Sequence, residues 1–197
     1  MAKEKGPVVE FEQARKRINN YFGVDGDFFV KPLLDFEWAV KEDEDFVYSF
    51  ATPPVFEWIK NTDPEIFEEI RQRVKEGRWE LAEGWWVQPD CYSASGESYV
   101  RQGLYGQKYL KENFGLYSNC VFNIDCFGHS PALPQILKKT GIDYFLTSKI
   151  SWNDTNMMPF DTFMWQGIDG TEILTYFLTG QDKKRGEKPV RYADYTG

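Results

Sequence analysis

Asp125 stands where a short apolar run, Cys120 to Ile124, gives way to a glycine-containing turn, Cys126-Phe127-Gly128-His129, ahead of an amphipathic stretch from Pro134 to Thr140. A strand that ends in Asp and feeds a helix projects the carboxylate from the strand's carboxyl end, the edge at which α/β folds assemble their active sites. Two other polar residues close strand-like runs in the same way: Asp90 after Trp79 to Val87, and Lys149 after Tyr144 to Thr147. If these strands run parallel, two carboxylates and an ammonium emerge on one rim. Each has a plainer use as well. Asp90 in Pro89-Asp90 suits a turn or a helix cap, and Lys149 suits a solvated strand end. For Asp125, the neighbouring Phe127 and Gly128 point instead to a shaped pocket. His129, the only His in the chain, suits local hydrogen bonds in its turn. Cys91, Cys120 and Cys126 form no CxxC pair and are odd in number, so they read as reduced thiols in packing roles.

The elements that must position these groups alternate. Phe11 to Phe22 carries Phe11, Ala14, Ile18 and Phe22 on one helical face. Phe46 to Phe50 reads as a strand closed by Pro53-Pro54. Asp63-Pro64-Glu65 is a helix start: a capping side chain, a proline where no N–H is needed, and an acid that complements the dipole. That helix runs to a stop at Gly77. Trp79 to Val87 reads as a strand, Ser95-Gly96-Glu97-Ser98 opens a long helix ending at Gly115, and the strand bearing Asp125 follows. A short helix closed by Gly141, the strand Tyr144 to Thr147, and two runs flanking Gly167-Ile168-Asp169-Gly170 complete the pattern, the Asp-Gly pair being a hairpin signal. Strands alternating with helices imply a mainly parallel sheet with right-handed crossovers.

Composition narrows the function classes. A chain of 197 residues, 42% hydrophobic, can bury the core of one ordinary domain. A net charge of −8 argues against nucleic acid, whose phosphates need clustered Lys and Arg. No run is long and apolar enough to span a membrane, and the first residues lack the apolar stretch of a signal peptide, so a cytoplasmic location is the expectation. Aromatics reach 17% with seven Trp. Surplus rings serve either core packing or stacking on the apolar faces of sugars.

At these residues the chain resembles glycoside hydrolase family 38, the retaining, metal-dependent α-mannosidases. The resemblance covers about Phe11 to Gly197 and leaves 1–10 unmatched. It is carried by Gly84-Trp85-Trp86-Val87-Gln88-Pro89-Asp90, Ser95-Gly96-Glu97-Ser98 with Arg101-Gln102, and Ile124-Asp125-Cys126-Phe127-Gly128-His129-Ser130 with Leu133-Pro134-Gln135. Lys149-Ile150-Ser151-Trp152-Asn153 and Phe163 to Gly170 complete the set, in the family's order. The resemblance implies an α/β fold, an incomplete (β/α) barrel-like domain with mainly parallel strands. It implies hydrolysis of terminal α-linked mannose in oligosaccharides, with Asp125 as nucleophile and ligand of a divalent metal, zinc in most relatives. Phe127 matches an aromatic that lies against the sugar. Trp85, Trp86, Asp90 and Lys149 fall among the expected substrate-binding positions.

The departures carry weight too. The family places a His-x-Asp ligand pair on its first strand, with a second ligand His and the acid/base carboxylate downstream, and none has a match here. A zinc site needs three or four protein ligands, and a retaining mechanism needs a second carboxylate about 5–5.5 Å from the first. The expectation is therefore a partial catalytic domain, its first strand and later part missing, that is inactive by itself. The main alternative is a non-catalytic carbohydrate-binding protein using Trp, Tyr and Phe platforms. A deacetylase-like hydrolase would call for a His-x-x-x-His pair, which is absent. Linkage preference and oligomeric state stay open.

Overall fold

The computed structural model describes residues 45–148 and 160–178. The expected Phe11–Phe22 helix and Lys149 lie outside them. The described chain falls into two compact units, one of residues 45–48 and 59–80, the other of 49–58, 81–148 and 160–178.

In the first part of the described chain, strand β1 (Tyr48–Ser49) is followed by helices α1 (Pro53–Thr62) and α2 (Pro64–Lys75) and by strand β2 (Trp79–Glu80), which pairs with β1. α2 starts as its sequence requires: the Asp63 carboxylate accepts the Ile66 N–H at 3.3 Å, Glu65 lies in the first turn, and Arg73 and Lys75 occupy the last. Phe67, Ile70 and Val74 form its buried stripe. α1 is a correction to the sequence reading, which took Pro53-Pro54 as a strand stop. Both prolines sit in the first turn of a helix, where the missing N–H costs nothing and the fixed φ is already helical. The expected Trp79–Val87 strand shortens to Trp79–Glu80. Beyond it the backbone bonds diverge, the Gly84 N–H to the Cys120 carbonyl at 3.0 Å and the Trp86 N–H to the Gln102 carbonyl at 2.9 Å. No single neighbouring strand receives them.

The second unit is built on helix α3 (Gly96–Phe114), strand β3 (Cys120–Asn123), helix α4 (Leu133–Lys139), strands β4 (Tyr144–Thr147) and β5 (Thr162–Gln166), and strand β6 (Glu172–Phe177). The sheet order is β3-β4-β6-β5. β3, β4 and β6 run parallel, with Asn123, Thr147 and Phe177 in register at their carboxyl ends, and β5 returns antiparallel to β6. Trp85, Val121, Leu133, Leu137, Ile142, Phe145 and Ile173 form the core beneath them. Along β6, Ile173, Thr175 and Phe177 are buried while Glu172, Leu174 and Tyr176 face out, the period of two that a sheet with one covered face requires.

α3 is capped by Ser95, whose hydroxyl accepts the Ser98 N–H at 3.2 Å, and it stops at Gly115. It meets the core through an unusually close approach. A methyl group at Gly106 would stand 2.4 Å from the Trp85 carbonyl carbon and 2.6 Å from the Gly84 oxygen, so the helix can lie there only because position 106 has no side chain. One residue on, the Gln107 amide binds the chain entering β3 as a second backbone would. Its Nε2 donates to the Ser118 carbonyl at 2.6 Å, and its Oε1 accepts the Ser118 N–H at 3.0 Å.

Two outcomes follow for stability. Gly106→Ala forces a methyl against backbone that cannot yield, and it should lower stability by about 1–3 kcal/mol, read from the urea midpoint. Glu83 accepts the Thr52 hydroxyl at 2.9 Å, and burial pushes its carboxyl above the ordinary range. The folded state then holds that proton to higher pH than the unfolded chain, so stability falls as pH rises through the window between the two values. Glu83→Gln should raise Tm at neutral pH, and the gain should vanish below the usual carboxylate range.

Candidate active site at the carboxyl end of β3

Beyond Asn123 the ladder is continued by side chains. The Thr147 hydroxyl donates to the Asn123 carbonyl at 2.9 Å and the Ser148 hydroxyl to the Ile124 carbonyl at 2.6 Å. These bonds hold the backbone as far as Asp125, whose side chain is exposed. Cys126 turns inward and is 4% exposed, whereas Phe127 turns outward at 62%.

The loop carrying Asp90 is tied to this turn through sulfur. The Cys91 N–H donates to Cys126 Sγ at 3.1 Å, and Asn123 Nδ2 donates to Cys91 Sγ at 3.0 Å. The loops bearing Asp90 and Asp125 thus meet at one end of β3. Asp90 itself is exposed and serves its loop: Oδ1 accepts the N–H groups of Ser93 at 3.0 Å and Tyr92 at 2.8 Å, which hold its carboxyl below the ordinary range. Sequence reasoning passed over Tyr92. Its ring lies on Gly128, where φ is +138° and an added methyl would stand 2.1 Å from the ring edge. Tyr92 is 78% exposed, so its ring and that of Phe127 are two exposed aromatic side chains on the loops that meet at this end of β3. The available signal was position, since Tyr92 follows Asp90 by two residues.

The two tryptophans lie elsewhere. Trp85 is fully buried in the core, edge-on to Tyr99 at 5.6 Å, so its ring presents no face on which a sugar could stack. This corrects the expectation that it contacts substrate. Trp86 is half-buried against Tyr109 and lines an open recess of about 340 Å³ with the α3 residues Tyr105, Lys108, Tyr109 and Glu112.

His129 sits edge-on to Phe145 at 5.4 Å and to Trp165 at 6.0 Å, with Nε2 3.3 Å from the Thr147 hydroxyl. Burial pushes its pKa down to about 4, so the ring is neutral at pH 7. Among the described residues, the one gathering of potential metal ligands is Cys91, Cys126 and His129, and it does not include Asp125. The described residues therefore do not build a metal site around the Asp125 carboxylate. What the rim offers is an exposed carboxylate on a held backbone, a group that can act as a nucleophile, a base or a ligand.

Comparison with known proteins identifies the family. Residues 38–190 match the family model described as the N-terminal domain of glycosyl hydrolases family 38. The chain is 40% identical over 132 residues to alpha-mannosidase G of Dictyostelium discoideum and 39% identical over 126 residues to an alpha-mannosidase of Saccharomyces cerevisiae. These matches cover 67% and 64% of this chain and 12% of the length of each relative. In fold it is similar to an alpha-mannosidase from Enterococcus faecalis, with a TM-score of 0.61 and 17% identity over 76% of this chain and 17% of that one.

The buried neutral His129 fixes a pH response. An unfolded imidazole takes up its proton near pH 6.5 and the folded one only near 4, so stability is full above the first value and lost as pH falls towards the second. The loss should reach at most about 3 kcal/mol. Urea midpoints between pH 7 and pH 4.5 should fall steeply for the wild type and less steeply for His129→Gln; parallel slopes would refute the assignment.

Proposed function

The chain belongs to the glycosyl hydrolase family 38 N-terminal domain family, and from that membership we propose that its Asp125 is the nucleophile of an α-mannosidase acting on terminal α-linked mannose with retention. The observation that carries the reading is the exposed Asp125 carboxylate just past the flush carboxyl ends of parallel strands β3, β4 and β6. A carboxylate oxygen attacks the anomeric carbon as the glycosidic C–O bond breaks. The departing oxygen takes a proton from the acid/base carboxylate that the family places downstream, and water then cleaves the sugar ester. Thr147 and Ser148 hold the attacking residue's backbone. The exposed rings of Phe127 and Tyr92 are the faces offered to the sugar, Asp90 shapes the loop that presents Tyr92, and Lys149 is the cation that the family resemblance assigns to the site.

The three parallel strands are read as part of a (β/α) barrel-like catalytic domain spanning 11–197. A divalent metal, zinc by family, would polarise sugar hydroxyls in the complete enzyme. Asp125 is the ligand that the family resemblance assigns to it here, and among the described residues no other potential ligand gathers around Asp125. The 197 residues alone are accordingly inactive in this reading. Among the described residues no helix is long and apolar enough to cross a membrane, and a cytoplasmic enzyme of mannose-containing oligosaccharides is the proposal. A second reading draws on Tyr92 and Phe127: two exposed rings could bind a glycan without catalysis.

The test places residues 38–190 into the yeast relative in exchange for the matching segment. The chimera should hydrolyse an aryl α-mannoside, and Asp125→Asn should lower kcat by about a thousandfold or more, while the isolated chain shows no turnover. A chimera that keeps its activity when it carries Asp125→Asn overturns the nucleophile. Glycan binding that survives Asp125→Ala but disappears with Tyr92→Ala or Phe127→Ala, in a chimera without turnover, establishes the binding reading instead.

A further inference from the structure

Cys91 and Cys126 come from loops 35 residues apart, yet their sulfurs and a ring nitrogen of His129 all lie within 4.8 Å of one another. Both cysteines are about 95% buried, at 5% and 4% exposure, and belong to the apolar core cluster with Trp85, Val121 and Phe145. We propose that Cys91, Cys126 and His129 form a site for one zinc ion, distinct from the metal expected at Asp125.

The donor set selects the ion. Two sulfurs and an imidazole are soft ligands, with no carboxylate to favour magnesium or calcium. Charge selects further: two thiolates and a neutral imidazole around a divalent ion sum to zero, which a buried site tolerates, whereas a monovalent ion would leave a net negative charge. Spacing agrees. Bonds of about 2.3 Å to sulfur and about 2.0 Å to nitrogen put tetrahedral ligand atoms roughly 3.5–3.8 Å apart, so atoms within 4.8 Å of one another need draw in by about 1.3 Å at most. Each sulfur already accepts an N–H, Cys126 from the Cys91 backbone and Cys91 from the Asn123 amide. A second observation points to a ligand. Asn123 is fully buried, and its Oδ1 has no hydrogen-bond partner although Nδ2 is engaged at Cys91 Sγ. A water carried in the ion's fourth position would satisfy it. The His129 ring nitrogen that meets the ion keeps its lone pair with the proton on the other nitrogen. Binding is balanced by release of the two thiol protons to solvent. The ion would staple the Asp90 loop to the Asp125 turn, whatever reaction occurs there.

The full chain, stripped with chelator, is titrated with cobalt as the optical probe and then with zinc. The expected result is a sulfur-to-cobalt charge-transfer band in the near ultraviolet that saturates at one equivalent, is displaced by zinc, and is unchanged in Asp125→Asn. Zinc binding should release two protons. Cys91→Ser and Cys126→Ser should each abolish the band, and Asn123→Ala should weaken zinc about tenfold. Absence of the band in the wild type overturns the proposal, as does its persistence in the double serine variant or its loss in Asp125→Asn. If circular dichroism shows the serine variants unfolded, alkylation of the wild type decides. Zinc should protect Cys91 and Cys126 but not Cys120, and equal rates with and without zinc overturn the site.

Discussion

Two hydroxyl groups at the end of β4 govern the rim. Where β3 leaves its ladder, the carbonyls of Asn123 and Ile124 need side-chain donors in a partly buried space, and one left unpaired costs about 1–3 kcal/mol. The side chains of Thr147 and Ser148 supply the missing donors. Because they do, the backbone is held through the turn that begins at Ile124. Asp125 and Phe127 face outward and Cys126 faces the core. A change in the register of β3 against β4 would move Thr147 off Asn123 and turn the wrong residue to solvent.

The opposite side of β3 is held by fit more than by hydrogen bonds. α3 approaches the Gly84-Trp85 backbone to a distance that no side chain at 106 would permit, and Gln107 completes the contact with an amide pair to Ser118. Trp85 is the large ring inside that contact. The Trp-rich segment thus acts mainly as the surface on which the long helix docks, and the helix fixes the chain entering the strand that carries Asp125.

How much of this was legible depended on whether the signal was local. The cap at Asp63, the start at Ser95, the stop at Gly115 and the Asp169-Gly170 hairpin each depend on a few adjacent residues, and all stand as read. The exposed Asp125 at a strand's carboxyl end was legible for the same reason. Pro53-Pro54 misled because proline ends a strand and begins a helix equally well. Trp85 misled because ring chemistry does not say which face is buried. The meeting of Cys91 with Cys126, and of Tyr92 with Gly128, joins residues more than thirty positions apart, and no periodicity records such a pairing.

The ring of Tyr92 resting on Gly128 makes those two positions a unit of variation. Any side chain at 128 meets the ring before it meets backbone, so a lineage that gains bulk at 128 must first lose it at 92. Across descendants the two columns should covary inversely in size, with the aromatic kept only where the glycine is kept.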